Sequence, residues 1–389
     1  MCIMAGENHD AAKKVLFCAS AASHIINFHN RYFDCLAEMG FEVHAATGIN
    51  AADNSDAALV RAKKTHTLAF EKGKNFALNI VTVFKLAGII RREGYDIVST
   101  HAMLAGLVGR LAAMLARSKK TKIIHTCHGY LFDDDGSFKT KLKLLIEKFL
   151  SRRTDMLFVM NSDDLHIAKK YRLCKNIEHI EGMGVGVWSV ECGVWSESEI
   201  AKKYGIPEGR KYFLCIGEFS KRKSQQHIIR AFGRFLHGLP ESRCAVQLVF
   251  LGDGVLLKKC RKLCETLGIA DHVTFCGYVG ETPAFYRSFA HCVVSASRFE
   301  GLPFNVMEAL HFGVPVIASN VKGHKDLISD GVNGYLYEYG DEARLSGLFE
   351  KVLDSAPFGV GLDEKYRFDS VKGKILDSYA RLTSPQTSR

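Results

Sequence analysis

The sequence predicts an α/β protein of two doubly wound, parallel-sheet domains in tandem, and three observations carry that prediction. Short β-branched or aromatic runs alternate with helical periodicity from residue 14 onward, the pattern of βαβ units whose sheet is covered on both faces. The alternation breaks once, over residues 181–200, and then resumes. A chain of 389 residues is also too long for one compact core and suits two domains.

In the first half the expected strands are 15–19, 42–46, 65–70, 96–100, 122–127, 156–160 and 177–180. Helical stretches at 25–39, 75–92, 104–117, 139–152 and 162–172 lie between them. The glycine-rich segment 181–200, which holds both tryptophans, reads as the connection between domains. Strands then follow at 212–216, 246–251, 272–276, 291–294 and 315–318, with helices at 223–236, 255–267, 281–288 and 304–312. An amphipathic helix near 368–381 and a polar tail end the chain. The expected boundaries are 1–185, 186–367 and 368–389, the last packing back toward the first domain. Ligands of such sheets sit beyond the carboxyl ends of the strands, so a cleft facing both domains is the expected site.

Composition narrows the function. With 47% hydrophobic and 24% charged residues the chain is ordinary and globular, which excludes a disordered or fibrous protein. The most apolar windows, 77–90 and 102–116, are interrupted by Lys85 and Arg110, so no membrane-spanning helix is expected. The start lacks an apolar signal core before Lys13, which speaks for a cytoplasmic protein. Twelve scattered cysteines form no Cys-x-x-Cys pair; those in apolar runs, such as Cys18 and Cys215, read as buried free thiols. The net charge of +10 is uneven, with 26 Lys+Arg against 19 Asp+Glu in residues 1–185 and 26 against 23 after them. That balance suggests a polyanionic partner. No zinc finger, RNA-binding signature or aromatic-interleaved basic stripe is present, so nucleic acid is not expected.

Residues 295–315 are the most informative. A strand ends in a polar loop, then Gly301 and Pro303 open a helix whose first-turn amides can face a diphosphate. Glu300 and Glu308 stand eight residues apart and return to nearly one helix face, so both can border one ligand. The plainer reading makes Glu300 a cap and Glu308 a solvated residue. The small-residue loop at 19–24, which holds Ser20, Ser23 and His24, leaves room for a ligand to approach the backbone. Residues 182–186 (GMGVG) open no periodic helix and fail as a dinucleotide motif. Asp133, Asp134 and Asp135 read as a solvated loop, and no metal site is expected. Residues 139–153 form a basic helix with Leu142, Leu145, Ile146 and Phe149 on one face, either an ordinary domain helix or a surface for anionic lipid.

Glu300-x7-Glu308 within SRFEGLPFNVMEALHFGVPVIAS, followed by LISDGVNGYLY at 327–337, resembles the signature of the family-4 retaining glycosyltransferases of the GT-B fold. HTCHGYLF at 125–132 and EGMGVGV at 181–187 resemble the subgroup that builds bacterial capsular, exopolysaccharide and O-antigen chains. KVLFCASAASHIINFHNRYFDCLAEMGFEVHAAT resembles the opening of the acceptor domain, and CIGEFSKRKSQQHIIRAF at 215–232 the first strand-loop-helix of the donor domain.

The resemblance implies two Rossmann-like domains facing a central cleft and a UDP-linked hexose or N-acetylhexosamine as donor. It places Glu300 on donor-sugar hydroxyls, Glu308 on the ribose, and His128 near the sugar as a catalytic residue, with His125 structural. Gly217, Gly301, Leu302, Pro303, Phe304 and Asn305 would border sugar and phosphates, and Tyr278 the base. The usual diphosphate clamp is an arginine and a lysine five residues later. Lys223 matches the lysine, but Glu218 occupies the arginine position, leaving Lys221 or Arg222 to supply the charge. Such cations stabilise the departing diphosphate without a metal. A polyprenyl-diphosphate-linked saccharide at the inner membrane leaflet is the implied acceptor, with Ser20, Ser23 and His24 as its expected contacts. The alternatives are a UDP-N-acetylhexosamine 2-epimerase of the same architecture, or a nucleotide-binding module without catalysis, in which loss of Glu300 or His128 would be expected.

Overall fold

A computed structural model describes residues 12–48, 61–71, 75–116, 120–186, 195–240, 245–280, 282–354 and 360–384. The chain divides into two units, residues 1–183 with 372–389, and residues 184–371.

Among its described residues the first unit holds seven strands: β1 (Lys13–Ala19), β2 (Phe41–Thr47), β3 (Lys64–Thr67), β4 (Ile97–His101), β5 (Lys122–Cys127), β6 (Met156–Val159) and β7 (Ile177–His179). They pair in parallel in the order β3-β2-β1-β4-β5-β6-β7. Strand order reverses at β1 and β4, so the crevice beyond their carboxyl ends is the natural ligand position in this sheet. The helices are α1 (Ala22–Phe28), α2 (Asn30–Glu38), α3 (Asn79–Glu93), α4 (Ala102–Ala116), α5 (Phe138–Ser151) and α6 (Ser162–Lys170). Val83, Leu86 and Ile90 of α3 and Ala105, Val108 and Ala112 of α4 cover Leu16, Val98 and Ile123 of the sheet. α4 rides close to the strands because Gly106 has no side chain; a Cβ there would lie 2.4 Å from the His125 ring.

The second unit contains α7 (Glu197–Tyr204), β8 (Lys211–Ile216), α8 (Gln225–Gly238), β9 (Val246–Leu251), α9 (Leu257–Thr266), β10 (Val273–Phe275) and α10 (Thr282–Ser288). After these come β11 (Ala290–Ser295), α11 (Phe304–His311), β12 (Val316–Ser319), α12 (His324–Leu327), β13 (Gly334–Tyr337) and α13 (Glu342–Asp354). The parallel order is β10-β9-β8-β11-β12-β13, with the switch point at β8 and β11. The last helix, α14 (Phe368–Thr383), counts with the first unit from Lys372 onward. There the Tyr379 hydroxyl lies 2.6 Å from Ser99 Oγ.

Several expectations need correction. The helix at 25–39 is two helices, because His29 leaves helical geometry (φ −122°, ψ −21°) with its ring fully buried. The strand at 65–70 stops at Thr67, since its neighbour β2 ends at Thr47 and offers no further partner. The connection at 181–200 runs into α7, whose start carries a capping box between Ser196 and Glu199; residues 187–194 lie outside the description. The sequence reading passed over β13, α12 and α13, although Leu345, Leu348, Phe349 and Val352 follow helical spacing and are buried.

Other expectations agree with the structure. Residues 182–186 are themselves non-helical, and Val185 bonds the 366–368 backbone (Val185 N to Tyr366 O, 2.9 Å). The described cysteines are free thiols, and burial pushes those of Cys18 and Cys215 up to about 12. Cys2, Cys192 and Cys244 lie outside the described residues. Asp134 pairs with Lys170, and Asp135 accepts from the Ser137 amide. Among the described residues no helix is long and apolar enough to cross a membrane.

Arg110 shows how α4 and α5 are locked together. Its side chain, 2% exposed, donates from Nη1 and Nη2 to the two Glu147 oxygens at 2.9 and 3.0 Å, and from Nε to the Gly106 carbonyl at 2.9 Å. Glu147→Ala leaves a buried charge unpaired and is expected to cost about 3–5 kcal/mol in denaturant unfolding, whereas Arg110→Met with Glu147→Leu recovers most of that loss. Equal stabilities of the single and double variants would refute this account.

Candidate functional site

β8 and β11 bring two distant loops together at the switch point of the second unit. The loop after β8 carries Arg222 and Lys223, and the loop after β11 carries Glu300, which is 7% exposed. Arg222 Nη1 donates to Glu300 Oε2 at 2.7 Å, and Lys223 Nζ lies 2.8 Å from Oε1. Burial by itself would raise the Glu300 carboxyl, but Lys223 and Arg222 outweigh it and hold the group at about 2. Glu300 is therefore a buried carboxylate, ionised at neutral pH and gripped by two cations. Of the two residues left open for the missing charge, Arg222 reaches this cluster, while Lys221 and Glu218 are exposed.

Backbone geometry makes the arrangement specific. Gly217 follows β8 at φ +145°, and a Cβ there would lie 3.2 Å from Cε of Lys223. Gly323, at φ +80°, lets the segment before α12 press on Glu300 and Gly301; its Cβ would come 2.5 Å from the Gly301 carbonyl oxygen. His324, which sequence reasoning missed, is fully buried. Its Nδ1 lies 2.8 Å from the Ser319 carbonyl and its Nε2 3.0 Å from Ser295 Oγ. Burial depresses it to about 4, so it is a neutral ring behind Glu300.

α11 supplies the second carboxylate. Pro303 caps it and accepts from the amides of Val306 and Met307. Asn305 Nδ2 donates to the Ile216 carbonyl at 3.1 Å, tying the helix to the end of β8. Leu302 and Phe304 pack against the core of the unit. Glu308 is 6% exposed, with its Oε2 2.9 Å from the Tyr286 hydroxyl, and burial pushes it up to about 7 despite that bond. Its hydrogen bond runs to Tyr286 and not to the Glu300 cluster. Tyr278, beyond β10, is 79% exposed and open to a stacking partner.

In the first unit Ser20, Ser23 and His24 follow β1 and are half-buried. His128, just past β5, is also half-buried; its Nε2 is 3.5 Å from Nδ1 of His101, and its ring meets that of His24 edge-on at 4.5 Å. His125 faces the other way, with Nδ1 3.0 Å from Thr100 Oγ1. Sequence reasoning missed His29 and His101, which complete a group of four imidazoles with His24 and His128. Their signal was weak: His101 ends β4 as His128 follows β5, but only the fold makes those ends neighbours.

Residues 196–367 match the family described as glycosyl transferases group 1, and residues 31–181 match glycosyltransferase family 4. The putative glycosyltransferase EpsD of Bacillus subtilis is 31% identical over 343 residues, 87% of each chain. A UDP-Gal:alpha-D-GlcNAc-diphosphoundecaprenol alpha-1,3-galactosyltransferase of Escherichia coli is 25% identical over 315 residues, 77% of this chain and 79% of that one. In fold, the crystal structure of Anabaena HepE in complex with UDP and glucose superposes with a TM-score of 0.73 at 16% identity, covering 95% of this chain and 100% of the other.

The environment of Glu308 yields a prediction. A carboxyl raised to about 7 favours the folded state fully below its ordinary value of 4.5, and that contribution is lost as the pH rises through 7. Unfolding midpoints measured from pH 5 to 8 should reveal a loss on the order of 3 kcal/mol from this group. Glu308→Gln should abolish that slope and exceed the wild type in stability at pH 8. An unchanged slope in the variant would show that Glu308 is not the titrating group.

Proposed function

The chain belongs to the family-4 glycosyltransferases of the GT-B fold, and from that premise we propose that it transfers a hexose or N-acetylhexosamine, with retention, from a UDP-sugar to a polyprenyl-diphosphate-linked saccharide in surface-polysaccharide synthesis. The observation that carries this reading is the buried Glu300 carboxylate held by Lys223 and Arg222 at the β8–β11 switch point. The UDP and glucose held by HepE and the diphosphoundecaprenol acceptor named for the E. coli relative support the choice of donor and acceptor.

The chemistry follows from charge. When the sugar–phosphate bond breaks, negative charge grows on the diphosphate and positive charge on the anomeric carbon. Lys223 and Arg222, poised on Glu300, turn toward the diphosphate oxygens, and each such preorganised group is worth about 2.7–4 kcal/mol in the transition state. As these partners turn away, Glu300 accepts hydrogen bonds from sugar hydroxyls. Glu308 accepts the ribose hydroxyls, which favour its ionised form. On the retaining route the departing diphosphate takes the acceptor proton on the same face, so no separate base is required. No metal is required at the diphosphate, because the two cations do that work. His128, a neutral imidazole because burial and His24 hold it well below the usual range, donates a hydrogen bond to a sugar hydroxyl. The crevice beyond β1 and β4, bordered by Ser20, Ser23 and His24, receives the acceptor.

A lipid-linked acceptor calls for membrane contact. Phe138 is 82% and Leu145 65% exposed on α5, with Leu142, Ile146 and Phe149 also exposed among Lys139, Lys141 and Lys148. Phe76, Leu78, Ile80, Val81 and Phe84, along α3 and the turn before it, are exposed as well. A basic, apolar surface of this kind favours anionic headgroups, so the protein is read as peripheral on the inner face of the plasma membrane.

Incubation with UDP-sugars and a diphospholipid-saccharide should release UDP and lengthen the lipid product. Glu300→Ala and His128→Ala should each lower transfer by on the order of 10²–10³-fold with the fold intact by circular dichroism, while Glu308→Ala mainly weakens UDP binding in calorimetry. Full turnover in the first two variants, or a C2-inverted sugar without elongated lipid, would overturn the proposal. Binding to phosphatidylglycerol vesicles should be strong for the wild type and lost in Phe138→Asp with Leu145→Asp; equal sedimentation of both would remove the membrane assignment.

A further inference from the structure

We infer that the first unit contains a binding site for one divalent transition-metal ion of the zinc class, formed by His24, His29, His101 and His128. The four side chains come from α1, the break between α1 and α2, the end of β4 and the residue after β5. One ring nitrogen from each lies within 4.8 Å of all the others. A tetrahedral ion bound at 2.0–2.1 Å by nitrogen needs ligand atoms about 3.4 Å apart. His101 Nδ1 and His128 Nε2 already stand at 3.5 Å. The remaining rings need only small side-chain rotations, and the His29 and His101 centroids are 4.0 Å apart.

Four further features distinguish this group from a chance cluster. His29 is 0% exposed, and among the described residues neither of its ring nitrogens has a hydrogen-bond partner. A buried polar group left unsatisfied destabilises the fold, and a metal–nitrogen bond removes that penalty. The chain also breaks its helix at His29 to place that ring. His101 has an outer support of the kind metal-bound histidines use: its Nε2 lies 3.0 Å from Ser99 Oγ, itself 2.6 Å from the Tyr379 hydroxyl, so Nδ1 is the atom turned to the cluster. Finally, His24 and His128 are half-buried while His29 and His101 are closed off, which gives an ion a way in. An all-imidazole set suits Zn²⁺, Co²⁺, Ni²⁺ or Cu²⁺ and excludes Mg²⁺ and Ca²⁺, which require oxygen.

An ion held there would bind His128 away from any sugar. Metal occupancy and the transfer role of His128 are therefore mutually exclusive states, a consequence that alone rests on the proposed function. The site is tested without activity.

The whole chain is stripped with a chelator, dialysed and titrated with Co²⁺. The expected result is one ion per chain, visible d–d bands of tetrahedral intensity, no thiolate-to-cobalt band in the near ultraviolet, displacement by Zn²⁺, and a raised melting temperature with Zn²⁺. His29→Gln should lose the visible bands and the thermal shift while keeping the metal-free far-ultraviolet spectrum. If that variant does not fold, His128→Gln at the accessible edge gives the same readout. No binding by the wild type, a thiolate band, or unchanged binding in the folded variant would overturn the site.

Discussion

A buried carboxylate sets the terms for the second unit. Removing the Glu300 charge from water carries a penalty of several kcal/mol, which two cations in good geometry can offset. Those cations arrive only because the loop after β8 turns at Gly217 and brings Lys223 beneath it, and because Arg222 lies on the same turn. The third wall is the segment before α12, seated against Glu300 by the absence of a side chain at Gly323. A third full positive charge there would be superfluous; His324, buried and bonded to Ser295 and Ser319, is neutral and supplies shape. Strand order, loop path and charge balance thus depend on one another.

The two glutamates of the motif show how environment divides labour between like groups. Glu300, beside Lys223 and Arg222, is held at about 2, whereas Glu308, with only the Tyr286 hydroxyl, is pushed up to about 7. Carboxyls whose values are driven apart in this way occur where each has a different task. A permanently charged group can keep two cations in register until a diphosphate competes for them. A group poised near neutrality gains its charge when hydroxyl donors arrive, so its ligand pays the desolvation. Eight residues of helix spacing place both on α11 and its approach, but the spacing is silent about this difference, which arises from neighbours on the loop after β8 and on α10.

The fold was largely legible in the sequence, because a doubly wound sheet buries its strands completely and writes them as apolar runs; 122–127 and 246–251 agree with β5 and β9 to the residue. What escaped obeyed tertiary rather than local rules. His29 breaks a helix whose periodicity continues through it, and β3 ends where its neighbour does. The short β13 is hidden in a turn-rich segment. The Glu300–Lys223 pairing could be anticipated only through the motif, since 77 positions separate the residues and no local pattern joins them. His324 and His101 had no such motif to mark them.

The two switch points also treat polar burial in opposite ways. At β8 and β11 the protein buries full charges and balances them; at β1 and β4 it gathers imidazoles that burial and mutual repulsion keep neutral, as for His29, His101 and His128. The positive excess of the first half therefore does not reside at its strand ends. It lies on outer faces such as α5, where Lys139, Lys141 and Lys148 surround exposed apolar side chains while Arg110, the large cation inside, is neutralised by Glu147. A polyanion that answers to this charge meets the outside of the unit, and a ligand in the crevice meets uncharged nitrogen. This separation lets a surface attract an anionic layer through long-range charge without drawing the same anions onto the imidazole cluster.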